Sequence, residues 1–276
     1  MAHVSLRGKI SADTFVEGEL YRVEAVVADL RSTPDGGRDR QLLRGEQFRA
    51  LTVENGMAFG FAEKDGYVGW VDSAALVGHP DDEITHVVSA PRSYAKTSSG
   101  LKTMGHVTPL PHGAQLASLE SKDGWTKLAW SRGTIPRNLF VPSNHIRPID
   151  SLETDPITVA ERFLGTPYLW GGNSSFGIDC SGLVQAALLA CGISCPGDSD
   201  MQESAFPTAK LPYQRGDLLF WKGHVAMVCT PDMLIHANAH HMAVAYEAIP
   251  DAIARIAQQG DGPVTAHTHP QQESPK

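Results

Sequence analysis

The sequence predicts two small all-β barrels followed by an α+β domain. Three observations lead there. Residues 21–78 set short apolar runs between turn signals, and residues 84–149 repeat that texture. From Asp155 onward the pattern changes to helical spacing, then to apolar runs of strand length. Short strands joined by Asn-Gly and Asp-Gly turns build barrels or sandwiches. Helices followed by antiparallel strands build an α+β domain.

Residues 1–20 form an N-terminal segment, and the first barrel spans 21–80. Its runs include Val23-Glu-Ala-Val-Val-Ala28 and Tyr67-Val-Gly-Trp-Val71, with turns at Pro34-Asp-Gly-Gly37 and Glu54-Asn-Gly56. Residues 78–83 read as a linker, and 84–149 as the second barrel. Gly45-Glu-Gln-Phe-Arg-Ala-Leu51 is similar to Gly113-Ala-Gln-Leu-Ala-Ser-Leu119, and Lys64-Asp-Gly-Tyr67 to Lys122-Asp-Gly-Trp125. The order is shared but the offsets, 68 and 58 residues, differ. These matches read as two copies of one barrel with unequal loops. A second linker is expected over 142–155.

The α+β domain covers 154–258. Asp155-Pro156 is an N-cap and first-turn pair. Ile157, Ala160, Phe163 and Leu164 give an apolar helical face that Gly165 closes. A second helix carries Leu183, Val184, Ala187, Leu188 and Cys191 at helical spacing and stops at Gly192. Strand-like runs follow at 217–221, 225–229, 233–236 and 242–246. The turn Thr230-Pro-Asp232 pairs the strands bearing His224 and His236. Residues 260–276, polar and rich in Pro and Gln, read as a disordered tail.

Composition narrows the function. The chain has 276 residues, 42% of them hydrophobic, and a net charge of −8. That balance suits a globular protein and argues against a nucleic-acid partner. No apolar run approaches the ~18 residues of a membrane span, so no membrane partner is expected. The N-terminus lacks a cationic segment leading into an apolar one. With core enough to need no bridges, the four cysteines are expected as thiols in a reducing cytoplasm.

Cys180 is the residue with chemistry. It ends the glycine-rich run Gly165-Thr-Pro-Tyr-Leu-Trp-Gly-Gly-Asn-Ser-Ser-Phe-Gly-Ile-Asp-Cys180 and opens a helix. Unpaired N–H groups and the helix dipole favour a thiolate there. Its backbone N–H would meet a developing oxyanion. Tyr168 either adds a hydroxyl to that pocket or packs. The small Ser181 and Gly182 allow close approach of a substrate backbone. His224, at the start of a strand, would take the thiol proton. His236, on the paired strand, would hold the His224 ring in one tautomer. His240 and His241, in the turn Asn238-Ala-His-His241, rank below it. Together these make a papain-like cysteine hydrolase arrangement. The pairs His236-x-x-x-His240 and Cys191-x-x-x-Cys195 have metal-ligand spacing, but the elements carrying them argue against it. Neither a metal nor another cofactor is expected.

Pro-Tyr-Leu-Trp-Gly-Gly at 167–172, Asp-Cys-Ser-Gly-Leu-Val at 179–184, Gly216-Asp-Leu-Leu-Phe-Trp221, His224-Val225 and Ile235-His-Ala237 resemble the NlpC-type cell-wall cysteine peptidase family. The upstream segments resemble bacterial Src-homology-3-like barrels. Two barrels before such a peptidase are similar to the gamma-D-glutamyl-L-diamino acid endopeptidases. The resemblance implies Cys180 as nucleophile, His224 as base and His236 as orienting residue, acting on murein-derived peptides. It places Asp198 and Ser199, in Pro196-Gly-Asp-Ser-Asp-Met-Gln202, at the substrate site, with Gly197 where a larger, often basic residue is common. It implies that Asp179 helps hold the ammonium of an N-terminal L-alanine. Helix capping is the alternative for Asp179 and Asp198 alike, and the two roles are compatible. An aromatic of the first barrel, Tyr67 or Trp70, would close the amine end. The chain departs from the family at Lys222-Gly223, a short loop, and at Ala226, where glycine is usual. Rival readings are a secreted lysin of intact wall, an inactive peptide-binding protein and a metal-dependent acyl hydrolase.

Overall fold

The computed structural model describes residues 1–78, 82–130 and 138–270. They form two compact units, residues 1–150 and 151–276. No helix among the described residues is long and apolar enough to cross a membrane.

In the first unit, the leading segment holds a 3-10 turn and two short parallel strands. Seven strands between Glu19 and Gly78 then form one sheet around Val23, Leu30, Phe48 and Val71, all fully buried. The second set, from His86 to Pro148, closes as a three- and a five-stranded sheet around Val88, Leu110, Leu128 and Leu139. The residues expected in a linker from Pro142 are in large part structure. Asn138–Pro142 and Ile146–Pro148 are both strands, and the latter pairs with His86–Val88. Residues 79–81 of the first expected linker lie outside the described residues.

The duplication has a single register. The turn Lys122-Asp-Gly-Trp125 joins Ser118–Lys122 to Trp125–Ala129. Its counterpart is Glu54-Asn-Gly-Met57, which joins Gln47–Glu54 to Met57–Ala62; it is not Lys64-Asp-Gly-Tyr67, one hairpin further on. Asn55 and Asp123 both have φ 51°, and Gly56 and Gly124 have φ 78° and 79°. Each glycine carbonyl accepts the N–H of a 3-10 serine, Ser73 or Ser143, at 2.9 Å. The offset is then 68 residues, the same as between Gly45 and Gly113. Sequence similarity alone matched two unrelated Lys-Asp-Gly turns.

Those two glycines also bring the copies together. Both have positive φ, 87° and 83°. A Cβ at Gly45 would run into the backbone of Gln115, and one at Gly113 would press on Leu43. The Gln115 N–H donates to Arg44 O at 2.8 Å. Arg44 is buried, donates from Nη2 to Glu24 Oε2 at 2.8 Å and lies 3.4 Å over the Trp130 ring.

In the second unit, α1 (Pro156–Glu161) has Asp155 as N-cap, whose carboxylate accepts the Ile157 N–H at 3.1 Å. Ile157, Ala160 and Phe163 are buried as their spacing predicts, whereas Leu164 is exposed. Next come α2 (Cys180–Ala190), α3 (Ser199–Ala205) and a five-stranded antiparallel sheet. The helix α4 (Ile249–Gln259), which the sequence reading omits, ends at Gly260 with φ 98°. The sheet has two covered faces. Val225, Met227, Ile235 and Ala237 pack with α1 and α2; Ala226, Val228 and Leu234 pack with Ile249, Ala252 and Ile256 of α4. The expected disordered tail is in part a strand: Ala266–Thr268 pairs with Leu218–Trp221. His267 and His269 secure it to the buried Asp217 at 2.6 and 2.7 Å. Residues 271–276 lie outside the described residues.

Replacing Arg44 by Met leaves the Glu24 carboxylate buried without its guanidinium. Such losses cost about 3–5 kcal/mol. Urea unfolding of Arg44→Met is expected to show that deficit, and Glu24→Gln added to it is expected to recover part.

Candidate active site

The N-terminus of α2 is fixed by one carboxylate. Asp179 is the N-cap. Its Oδ1 accepts the Gly182 N–H at 2.7 Å and the Ser181 hydroxyl at 3.2 Å. Its Oδ2 accepts the Gly171 N–H at 2.9 Å. The glycine-rich loop and the helix are thereby joined, and Cys180 becomes the first helical residue, 7% exposed. The smallness of Gly182 serves this joint: a Cβ there would lie 2.6 Å from Gly172 O. Ser181 is buried, with its hydroxyl on Asp179.

The loop is also stitched to the edge strand Ala243–Ala248. Gly165 N–H donates to Val244 O at 2.9 Å, and Tyr168 N–H to Met242 O at 3.0 Å. Tyr168 is thus held beside the helix start. Burial pushes its phenol up to about 12, and the nearby Cys180 and Asp179 add to that. It stays protonated at physiological pH and keeps a hydrogen to donate. Asp198 is the N-cap residue of α3 but makes no capping bond through its side chain, and Ser199 begins the helix. The buried Gln202 of α3 donates to Ser181 O at 3.0 Å and Pro196 O at 2.9 Å, which secures α3 against α2.

α2 packs on the strands His224–Thr230 and Met233–Asn238. Those strands pair antiparallel across the predicted turn. His236 lies opposite Ala226, so His224 is its diagonal neighbour, and the rings meet: His224 Nε2 is 2.8 Å from His236 Nδ1. His236 is fully buried and its Nε2 lies 3.0 Å from Glu247 Oε2. Arg255 of α4 donates to both oxygens of Glu247, each at 2.8 Å. Sequence reading missed Glu247 and Arg255. The signal for α4 was present in Ile249, Ala252 and Ile256 before Gly260; nothing in sequence marks Glu247 as the partner of His236.

The histidine pair prefers neutrality. Burial pushes His224 down to about 3, with the His236 and Arg255 charges adding to it. Burial also lowers His236, against the pull of Glu247. Although its own burial raises it, the Glu247 carboxyl is held well below its usual range by hydrogen bonds from Arg255 and His236. Cys229, one of the other buried thiols, is pushed up to about 12 by burial. No disulfide joins the four cysteines.

His240 packs edge-on against His241, both in the exposed turn. His236, His241 and Glu247 bring three ligand atoms within 4.8 Å. Arg255 already engages both carboxylate oxygens there, and its charge opposes a cation. Tyr67 and Trp70 belong to the first unit. Arg40 lies 5.7 Å over the Tyr67 ring, and Trp70 packs on Phe59 at 5.0 Å.

Residues 165–255 match the NlpC/P60 family, and residues 30–76 match the bacterial dipeptidyl-peptidase Sh3 domain. The C-terminal unit of this chain carries an NlpC/P60 domain. Gamma-D-glutamyl-L-lysine dipeptidyl-peptidase of Bacillus subtilis is 31% identical over 164 residues, 56% of this chain and 52% of that protein. Dipeptidyl-peptidase 6 of Lysinibacillus sphaericus is 40% identical over 85 residues, 30% of this chain and 31% of that protein. The chain spans about half the length, or less, of these curated relatives. A solved NlpC/P60 family protein from Bacillus cereus superposes with a TM-score of 0.77 at 18% identity, over 92% of this chain and 100% of that one. That likeness shows the shared NlpC/P60 fold.

A pH dependence of stability follows from the buried pair. The unfolded chain protonates His224 near its ordinary 6.5, the folded chain near about 3. Stability is therefore complete above 6.5 and is lost as pH falls through that window. Asp155, Asp217 and Glu247 titrate from 3.8, 3.8 and 4.5 downward, so they do not contribute in its upper part. Urea midpoints are expected to fall between about pH 7 and about pH 5, and His224→Gln is expected to flatten that fall.

Proposed function

We propose that the C-terminal domain of this chain is a papain-like cysteine peptidase. Its substrate is a murein stem peptide with a free N-terminal L-alanine, cut between γ-D-glutamate and the L-diamino acid. The observation that carries the reading is Cys180 as the first residue of a capped helix that packs on the strands bearing a hydrogen-bonded histidine pair. The name of the Bacillus subtilis relative, gamma-D-glutamyl-L-lysine dipeptidyl-peptidase, supplies the substrate class.

In this reading Cys180 Sγ gives its proton to His224 and attacks the γ-carbonyl carbon. The oxyanion meets the Cys180 N–H and the Tyr168 hydroxyl. His224 then passes the proton to the leaving amine, and a thioester remains. Water, deprotonated by His224, breaks the thioester and restores the thiol. Asp179 and Asp198 offer carboxylates to the substrate ammonium, and Ser199 a hydroxyl beside them.

Two measurements test this. Cys180→Ala is expected to lower cleavage of L-Ala-γ-D-Glu-diamino acid peptides by at least about 10⁴-fold while leaving unfolding unchanged. Acetylating the peptide's amine is expected to abolish cleavage. Turnover retained by Cys180→Ala would remove the mechanism. Release of peptides from intact sacculi would favour a wall lysin instead. Iodoacetamide near neutral pH is expected to label Cys180 and spare Cys229; equal labelling would favour an inactive binding protein.

A further inference from the structure

We propose that Glu247 is a positioning residue of this site: braced by Arg255, it fixes the protons on both histidine rings so that His224 Nδ1 is the base. The inference rests on the peptidase reading above and adds to it the placement of the protons.

The geometry allows one proton order. Glu247 accepts from Arg255 Nε through Oε1 and from Arg255 Nη2 through Oε2. Ionised, it is an acceptor only. Its Oε2 contact with His236 Nε2, at 3.0 Å, therefore requires a hydrogen on that nitrogen. A neutral imidazole carries one N–H, so His236 Nδ1 presents a lone pair. The 2.8 Å contact between the rings then requires His224 Nε2 to be the donor. His224 Nδ1 is left with a lone pair, the state needed to accept a thiol proton. Were Glu247 absent, nothing in this chain of contacts would prevent the opposite order, with His236 Nδ1–H donating to His224 Nε2 and the proton on His224 Nδ1.

Among the described residues, Glu247, Arg255 and His241 meet the pair in a way that agrees with this order. Glu247 reaches His236 from the adjoining strand, Arg255 from α4, and His241 from the turn after His236. Arg255 and His241 both disfavour a cationic His236. Arg255 also disfavours a cationic His224 in the resting state. The Glu247–Arg255 pair is satisfied without His236, and its second engagement of Oε2 orients the ring as well. Strand register makes this possible: His236 lies opposite Ala245, and Glu247 is two residues further along the same face. During turnover the Cys180 proton moves to His224 Nδ1, and the imidazolium keeps its Nε2–H on His236. The same proton leaves from Nδ1 to the amine nitrogen. None reaches Glu247.

The test is ¹⁵N NMR of histidine-labelled protein at neutral pH, joined to kinetics on the L-Ala-γ-D-Glu-diamino acid peptide. Wild type is expected to show both rings as Nε2–H tautomers. Glu247→Gln is expected to show mixed tautomers at His236 and His224. Its kcat is expected to fall about 10–100-fold with KM within about twofold, and Glu247→Asp to recover part of the loss. Wild-type spectra with the proton on His236 Nδ1 or His224 Nδ1 would overturn the inference, whether or not the variants fold. So would a Glu247→Gln protein with unchanged tautomers and kcat. Nε2–H tautomers in a wild-type protein that cleaves no murein peptide would support the proton order and sink the peptidase reading instead.

Discussion

The Asp179 carboxylate is the tie on which the site depends. A glycine-rich loop has little side-chain packing to hold it, and a helix start leaves backbone donors unsatisfied. Asp179 answers both needs at once, with one oxygen on Gly182 and Ser181 and the other on Gly171. Gly182 lets the loop come close enough for the joint to form. The place of Cys180 is therefore set by a buried carboxylate that already holds its own backbone partners. Any ammonium it meets would be an additional partner of an oxygen already oriented.

Charge in the rest of the site is arranged around neutral rings. His224 and His236 are kept uncharged by burial and by Arg255, while Glu247 stays ionised under the same guanidinium. A neutral ring can accept a proton, and a buried one gives it up readily. The same burial makes the pair sensitive to acid, so the feature that suits proton transfer also limits stability at low pH. The salt bridge lies between a strand and the helix that follows it, and so couples α4, far along the chain from Cys180, to the histidines.

The N-terminal unit shows how duplication is kept in three dimensions. Equivalent glycines, Gly45 and Gly113, each lie at positive φ where the other copy approaches. The short similarity around Lys64 and Lys122 misled because Lys-Asp-Gly suits many turns. Hydrogen bonds from Ser73 and Ser143 to the preceding hairpins give the true register.

The sequence by itself determined what is local. Caps, helical spacing and turn chemistry act within a few residues, so Asp155, Asp179, Gly165, Gly192 and the turn at 230–232 were legible. His224 and His236, which the structure brings within hydrogen-bond distance, could be named as candidates because each sits in a short motif. Tertiary structure decided what depends on distant segments meeting. Glu247 became the partner of His236 through strand register, and Arg255 reached it through the packing of α4. The strand Ala266–Thr268 formed, in a segment that reads as tail, because Asp217 and an open sheet edge were waiting for it. Such pairings leave no periodicity or spacing in one chain, since their energy comes from contacts between residues that sequence order keeps apart.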